Sequence, residues 1–275
     1  MDERIDKIIL NALEEDIPSI DITTDNLFTD EISEGYFIAK EEGVLSGVSV
    51  MKRVFELVDD SIYLKILNGD GASVEVGDII AIISGKSKSI LKGERVSLNI
   101  MQRMSGIATK TNLFVNEIDN DITKILDTRK TTPNMRVLEK QAVVDGGGIN
   151  HRFSLSDQVM IKDNHIKAAK TITNAVRIIK EKVNPNIKVE VEVETYDQFL
   201  EALSTDCDII MLDNMDLELT KKCVNTNSGR KKLEASGNMT IERIKAVSDT
   251  LVDFISVGAL THSVNSLDIS LKFNK

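Results

Sequence analysis

A regular alternation of short apolar runs with helical segments dominates the chain after about residue 120. The runs have the length of buried strands, and they are ITKILD, QVMI, KVEVEV, CDIIML, KKLEA and VDFISV. Helices are predicted between them, starting near Thr132, Thr171, Tyr196, Leu217 and Thr240. Strands that alternate with helices in this way form parallel βα units. Six such units in about 140 residues predict an α/β barrel with fewer than eight strands.

The first hundred residues show a mixed pattern. An amphipathic helix is predicted around Ile5 to Leu13, and short strands are predicted in YFIAK and GVLSGVSV. A helix over Met51 to Leu57 and a strand in IYLKI follow, and NGDGASVEVGDIIAII has the rhythm of a small β module. From Gly93 onward a long helix is predicted, with one apolar face, and we expect it to join the two parts of the protein.

Composition excludes several classes of protein. A net charge of -10, no Trp and only three Tyr argue against a nucleic-acid binder, which normally has a basic stripe and stacking aromatics. No stretch approaches the roughly 18 uninterrupted apolar residues of a membrane helix. We therefore expect a cytoplasmic protein without membrane segments. The two cysteines, Cys207 and Cys223, are too few for a disulfide framework and are expected to be reduced and structural.

Basic residues cluster at the predicted carboxyl ends of the first strands. Arg129 and Lys130 follow ITKILD, and Lys162 follows QVMI. Between them, the segment DGGGINHRF contains three consecutive glycines, which let backbone amides approach an anion, and the pair His151 and Arg152. Since active sites of parallel α/β folds lie at this edge, the pattern indicates a basic pocket in an acidic protein. The alternative is a solvated charged face.

Carboxylates are predicted at the same edge. Glu192 lies near the end of KVEVEV, and Asp213 follows CDIIML. Such carboxylates bind ribose hydroxyls or Mg²⁺, whereas arginine and lysine bind substrate carboxylates and phosphates. Alternation places Glu190, Glu192 and Glu194 on one side of the strand, and the alternative interpretation is an exposed sheet face on which at least one is structural.

Several blocks of the chain resemble one enzyme family. The segment DTRKTTPNMRVLEKQAVVDGGGINHRFSLSDQVMIKDNH closely resembles the signature of quinolinate phosphoribosyltransferases. The blocks GERVSLNIMQRMSGIAT, VEVEVET, IIMLDNM, LEASGNMT and ISVGALTH resemble the other signatures of this family, in the same order. The similarity extends from about Glu15 to His262. It implies an enzyme that joins quinolinate to phosphoribosyl pyrophosphate, releases carbon dioxide and forms nicotinate mononucleotide.

The resemblance also implies roles for individual residues. The residues that would hold quinolinate are Arg129, His151, Arg152 and Lys162, with Arg95 reaching the site of the neighbouring subunit. Those that would contact the phosphoribosyl group and its Mg²⁺ are Lys130, Glu192 and Asp213, and those around the 5′-phosphate are Ser236, Gly237, Asn238, Val257 and Gly258. Lys130, Lys162, Glu192 and Asp213 would be the catalytic set. Asn238 stands where many relatives have a second glycine.

The family fold implies an N-terminal α/β sandwich domain over residues 1–106, joined by the C-terminal tail 265–275, and an α/β barrel over residues 107–264. The role of Arg95 implies a homodimer at least. Mg²⁺ would be held by Glu192 and Asp213, either directly or through water. Lys162 or His165 could supply the proton at C2 after decarboxylation, and His165 could instead be a structural residue that bonds a loop.

Two alternatives remain. A molybdenum-transport-associated relative has the same fold, but this chain keeps NHR at 150–152 and IKDNH at 161–165, which would bind the pyridine acid. The β pattern VEVGDIIAII suggests a carrier module, but SGKSKS lacks the lysine hairpin that carriers present for modification.

Overall fold

The computed structural model describes residues 2–274, and by contacts these form two compact units. The first unit contains residues up to 112 together with 131–147 and those from 260 onward, and the second contains 113–130 and 148–259. No helix of the described residues is long and apolar enough to span a membrane. These units group residues by contact, and a domain boundary at residue 106 stays a prediction.

The elements of the first half of the chain are α1 (Glu3–Asp16), α2 (Thr24–Leu27), β1 (Ile32–Ala39), β2 (Gly43–Val44), α3 (Val48–Val58), β3 (Tyr63–Ile66), β4 (Ser73–Val74), β5 (Ile79–Lys86), α4 (Ser87–Asn116), β6 (Lys124–Leu126) and α5 (Arg136–Asp145). Those of the second half are β7 (Val159–Ile161), α6 (Asp163–Ala169), α7 (Ile172–Lys182), β8 (Val189–Val193), α8 (Tyr196–Leu203), β9 (Ile209–Asp213), α9 (Leu217–Asn227), β10 (Lys232–Ser236), α10 (Ile241–Ser248), β11 (Phe254–Ser256), α11 (Ala259–His262) and β12 (Ile269–Phe273).

The first unit is built on an antiparallel four-stranded sheet in the order β12, β1, β5, β3. Its core contains Phe37 from β1 and Phe55 from α3, whose rings pack edge to face with centroids 6.0 Å apart. The alternating burial along β1 explains why YFIAK is recognisable as a strand, since every second residue enters this core. Helices and a sheet that share one core form the predicted N-terminal α/β domain.

The predicted strand GVLSGVSV is wrong beyond its first residues. Only Gly43 and Val44 pair as a strand, and Val48 begins α3. Gly47 adopts the left-handed region with φ 87°, which turns the chain into the helix. Asp70 caps that helix, because its carboxylate accepts hydrogen bonds from Val48 N at 2.7 Å and Ser49 N at 3.2 Å.

The second unit is the predicted α/β barrel with fewer than eight strands. Its six strands run parallel in the order β6, β11, β10, β9, β8, β7. The register places Glu192 level with Met211 and Glu234, and Asp213 level with Ser236. We call the side of the sheet that bears Glu190, Glu192, Asp213, Glu234 and Ser236 the polar face. The opposite side is apolar, since Val189, Val191 and Val193 are fully buried.

All six predicted strands of this unit exist. Several helix predictions along the chain differ from the structure. The helix expected near Thr132 begins at Arg136, and the long helix expected from Gly93 begins earlier, at Ser87. Helix α6 was not predicted. Its N-terminus is capped from one side only, because the Nδ1 of His165 accepts a hydrogen bond from the Lys162 N–H at 2.9 Å.

Candidate active site at the carboxyl ends of the parallel strands

The residues predicted for the site lie along one edge of the second unit, apart from Arg95. Since all six strands are parallel, their carboxyl ends meet at a single edge. Placed there are Arg129 and Lys130 after β6, Lys162 after β7, Glu192 in β8, Asp213 in β9, Ser236 in β10, and Val257 and Gly258 after β11. Arg95 belongs to the first unit, where it is an exposed residue of α4.

An ion pair between Lys162 and Glu192 joins the ends of two neighbouring strands. The Glu192 side chain is 13% exposed, so its charge is largely removed from water, whereas Lys162 is 43% exposed. The alternative interpretation of Glu190, Glu192 and Glu194, an exposed sheet face, is wrong for the first two. Glu190 is fully buried, and only Glu194, beyond the strand, is exposed.

A second positive group, Arg152, is held close to this pair. Its Nη1 donates to the carbonyl of Gln158 at 3.1 Å, and its Nη2 lies 3.6 Å from the sulfur of Met160. Burial lowers the pKa of the Arg152 guanidinium, and the charge of Arg129 lowers it further. An arginine remains protonated under such shifts, so two guanidinium charges that repel each other face the same region. Two neighbouring guanidinium charges favour the binding of an anion.

His151, the residue before Arg152, lies between two buried glutamates. Its Nε2 is 3.1 Å from Glu190 Oε2 and 3.3 Å from Glu234 Oε2. Burial disfavours charge on the ring, but these carboxylates outweigh that effect and raise the pKa of His151 to about 10. Burial also raises the pKa of Glu190, to about 7, and the nearby Glu234 adds to the increase.

The backbone fixes where the ring carries its hydrogen. Arg152 N donates to His151 Nδ1 at 2.6 Å, so Nδ1 needs its lone pair, and the hydrogen of the ring lies on Nε2. The backbone N–H of Arg152 therefore opposes the second ring proton that the raised pKa of His151 would otherwise favour. His151, Glu190 and Glu234 come close enough to surround a metal ion. The Nε2–H, however, offers no lone pair to such an ion.

Sequence reasoning did not single out Glu234 or Gln158. Glu234 interrupts the apolar run KKLEA at a position two residues before Ser236, which places both on the polar face. A charged residue inside a strand-length apolar run was the available signal. Gln158 carries no such signal, because its role depends on a hydrogen bond to Glu190 in another strand, at 2.8 Å.

A turn after β10 carries Gly237 and Asn238, two of the residues predicted for the 5′-phosphate. Gly237 and Asn238 are consecutive left-handed residues, with φ 95° and 48°. A Cβ on Gly237 would lie 2.2 Å from Asn214 Oδ1, so only glycine fits there. Asn214 N donates to the Ser236 carbonyl at 3.0 Å and thereby holds this turn against the end of β9. Backbone amides presented by left-handed residues form concavities that bind anions.

The carboxylate of Asp213 projects from the end of β9. Its Oδ2 accepts a hydrogen bond from the Asn214 side-chain amide at 2.8 Å. With Glu192 from the adjacent strand it provides oxygen donors only, which is the ligand type that Mg²⁺ prefers. The chemistry of these two carboxylates is therefore compatible with a magnesium ion.

Models of one family match nearly the whole chain. The N-terminal domain of quinolinate phosphoribosyl transferase matches residues 21–105, and the C-terminal domain of the same family matches residues 107–272. A probable nicotinate-nucleotide pyrophosphorylase (carboxylating) of Bacillus subtilis is 41% identical over 98% of this chain and 93% of its own. A chloroplastic nicotinate-nucleotide pyrophosphorylase (carboxylating) of Arabidopsis thaliana is 44% identical over 88% of this chain and 74% of its own.

Solved structures agree with the sequence matches. NadC from Streptococcus pyogenes superimposes with a TM-score of 0.96 at 40% identity, covering 100% of this chain and 99% of its own. The nicotinate-nucleotide pyrophosphorylase from Francisella tularensis superimposes with a TM-score of 0.95 at 39% identity, covering 99% and 96%. The chain therefore belongs to the quinolinate phosphoribosyl transferase family.

Proposed function

We propose that this protein is a decarboxylating quinolinate phosphoribosyltransferase, a pentosyltransferase that converts quinolinate and phosphoribosyl pyrophosphate to nicotinate mononucleotide, pyrophosphate and carbon dioxide. The observation that carries the proposal is the edge of the parallel sheet, where Arg129, Arg152 and Lys162 stand beside Glu192. Relatives that share about two fifths of the sequence bear the names of this activity. The proposed reaction is a step in the synthesis of NAD.

The basic residues bind the pyridine acid. Quinolinate has two adjacent carboxylates, and Arg129 and Arg152 supply planar guanidinium groups that can bind a carboxylate through two hydrogen bonds. Lys162 supplies a third positive charge. In this structure Lys162 forms an ion pair with Glu192. Binding must not over-stabilise the C2 carboxylate, since that group leaves as carbon dioxide.

The acidic residues and the turn after β10 bind the phosphoribosyl substrate. Lys130 is exposed after β6, where it can reach a phosphate, and the backbone of Ser236, Gly237 and Asn238 would hold the 5′-phosphate. Val257 and Gly258 complete this end of the site after β11. Glu192 and Asp213 would hold Mg²⁺, directly or through water, and the ion would neutralise charge on the departing pyrophosphate.

The acidic and basic residues stabilise opposite ends of the transition state. As pyrophosphate leaves, positive charge develops at ribose C1, and the carboxylates of Glu192 and Asp213 stabilise it while Lys130 stabilises the phosphates. The pyridine nitrogen bonds to C1 and becomes cationic, which allows C2 to release carbon dioxide and keep the electron pair. A proton must then be delivered to C2. Lys162 is the better placed donor, because the His165 ring is tied back to the Lys162 backbone as a helix cap.

The position of Arg95 bears on the oligomeric state of the protein. It is exposed on α4, and in our proposal it enters the site of a neighbouring subunit, which makes the protein a homodimer or a larger assembly. A cytoplasmic location stays a prediction.

Ultraviolet measurement of quinolinate consumption tests the activity. We expect turnover that requires both phosphoribosyl pyrophosphate and Mg²⁺, with nicotinate mononucleotide as the product. Nicotinate serves as the control, since it lacks the C2 carboxylate for which the additional basic residues are proposed. Equal turnover of nicotinate, or none of quinolinate, would contradict the proposal; the latter is what the molybdenum-transport-associated alternative predicts.

A further inference from the structure

The ring of His151 is enclosed on the polar face of the sheet, with both nitrogens engaged inside the protein. Its Nδ1 accepts from the backbone N–H of Arg152, and its Nε2 faces the carboxylates of Glu190 and Glu234. The side chain is only 7% exposed. A ring in this state has no nitrogen available to bind a substrate carboxylate.

Glu190 and Glu234 come from β8 and β10, the strands on either side of β9. Both side chains are at most 1% exposed, and buried carboxylates are costly unless they have hydrogen-bond donors. The His151 Nε2–H is one donor that both can share. Glu190 has a second donor, because the side-chain amide of Gln158 reaches its Oε2 at 2.8 Å. His151, Glu190 and Glu234 therefore determine one another's positions.

Arg152 is attached to this cluster at two points. Its backbone N–H bonds to the His151 ring, and its guanidinium bonds to the backbone carbonyl of Gln158, the residue whose side chain is held by Glu190. The His151 backbone is fixed as well, since its N–H donates to the buried carboxylate of Asp127 at 2.8 Å. The main chain of Arg152 is thus linked to Glu190 through the His151 ring, whose Nε2 lies 3.1 Å from Glu190 Oε2. The guanidinium is linked to Glu190 through the two hydrogen bonds of Gln158.

We propose that His151, Glu190 and Glu234 are positioning residues for Arg152, and that His151 acts on the pyridine acid only through that arginine. The inference rests on the proposed function, because it distributes roles within the same site. It replaces the expectation that His151 itself binds the dicarboxylate. Glu190, Glu234 and Gln158 become part of the recognition of quinolinate without touching it.

A double-mutant cycle on the full-length enzyme tests the role of His151. Calorimetric titration with quinolinate should show that Arg152→Ala and His151→Ala each weaken binding by at least about tenfold. If His151 acts only through Arg152, adding His151→Ala to Arg152→Ala should change the Kd by less than about twofold. Independent contacts would instead multiply to about a hundredfold loss, and that result would overturn the proposal.

Glu190 provides a second test that does not depend on the stability of His151→Ala. We expect Glu190→Ala to raise KM for quinolinate about tenfold while KM for phosphoribosyl pyrophosphate and kcat stay within about twofold. Glu190→Gln keeps an oxygen for both donors and should restore the quinolinate KM to within about threefold. Glu194→Ala, on the exposed residue beyond the same strand, is the matched control and should behave as the parent.

A purely structural role for Glu190 gives a different result. Glu190→Ala would then raise both KM values together or lower only the thermal midpoint, and Glu190→Gln would rescue neither KM selectively. Failure of the proposed function is distinguishable, since the parent protein would then bind no quinolinate in the calorimeter. A parent that binds quinolinate, combined with a multiplicative cycle, refutes the positioning role alone.

Discussion

At the scale of single residues, Arg152 and Lys162 differ in how they are held. The Arg152 guanidinium bonds to the backbone of Gln158, whereas Lys162 pairs with the carboxylate of Glu192. In Arg152→Ala and Lys162→Ala we expect quinolinate binding to weaken by about 1.5 to 3 kcal/mol each, the value of a charge-assisted hydrogen bond. Calorimetry measures the loss. Lys167→Ala is the control, since Lys167 is 74% exposed and pairs with its helix neighbour Asp163. Parent-like binding by both site variants would contradict the assignment.

Asn238 occupies a left-handed conformation with φ 48°, which explains the glycine that the resemblance associates with this position. Glycine should therefore be accepted in Asn238→Gly without loss of stability. Asn238→Val should lower the free energy of unfolding by about 1 to 2 kcal/mol, because a branched side chain is disfavoured there. It should also raise KM for phosphoribosyl pyrophosphate. Urea unfolding and steady-state kinetics check the pair, and equal stability of the two variants would count against this explanation.

At the scale of elements, Asp208 holds the start of β8 against α7. Its Oδ2 accepts from Val189 N and from Lys180 Nζ, both at 2.7 Å. Burial alone would raise the pKa of this carboxyl, but the hydrogen bonds from Lys180 and Val189 lower it below the usual 3.8. A lowered pKa means that the stabilisation is present above pH 3.8 and is lost as the pH falls through the folded-state value.

Asp208→Asn should therefore reduce the free energy of unfolding at pH 7, by about 0.5 to 1 kcal/mol since the side chain is partly exposed and screened. The difference from the parent should shrink as the pH falls below 3.8. Denaturant unfolding at several pH values measures it. Asp206→Asn, on the exposed residue two positions earlier, is the control. A difference that persists unchanged at low pH would show that the charge of Asp208 is not the cause.

The elements also show what a single sequence can reveal. Strands such as CDIIML were predictable because both of their faces are enclosed, which makes them continuous apolar runs. In KVEVEV, by contrast, valines alternate with Glu190 and Glu192, which lie on the polar face. Helix α3 was mistaken for a strand at Val48 to Val50, since its cap comes from Asp70, more than twenty residues away. Helix α6 was missed because IKDNH looks like a loop, and its start depends on a side chain folding back on the backbone.

The site was predicted unevenly for the same reason. Residues at strand ends, such as Lys162, Glu192 and Asp213, follow directly from the order of strands. The burial of Glu190 and the participation of Glu234 depend on the register between strands, which alternation along one strand does not specify. Periodicity identified the edge of the sheet, and the resemblance added the chemistry of each side chain there.

At the scale of the whole molecule, Arg95 allows a test of assembly. If it completes the partner's site, Arg95→Ala and Lys162→Ala homodimers should each be nearly inactive. A mixed dimer would then have one site with both changes and one with neither. Random exchange of equal amounts makes half of the dimers mixed, so about one quarter of all sites should regain activity.

The exchange is done with mild denaturant, and Arg95→Ala mixed with itself is the control. Recovery is measured as quinolinate turnover, after tagged subunits have shown that mixed dimers formed. No recovery in proven mixed dimers would place Arg95 in its own subunit's site or outside catalysis.

The pairing of β12 with β1 affects how the chain can fold during synthesis. Ala39 is opposite Ile269, so roughly 230 residues must leave the ribosome before this edge of the first sheet is covered. At ordinary translation rates that interval is on the order of 10 to 50 s. The second unit, whose chain is largely made in between, has time to form first. The nascent first sheet meanwhile presents an open β1 edge, which is the type of surface that chaperones shield from aggregation.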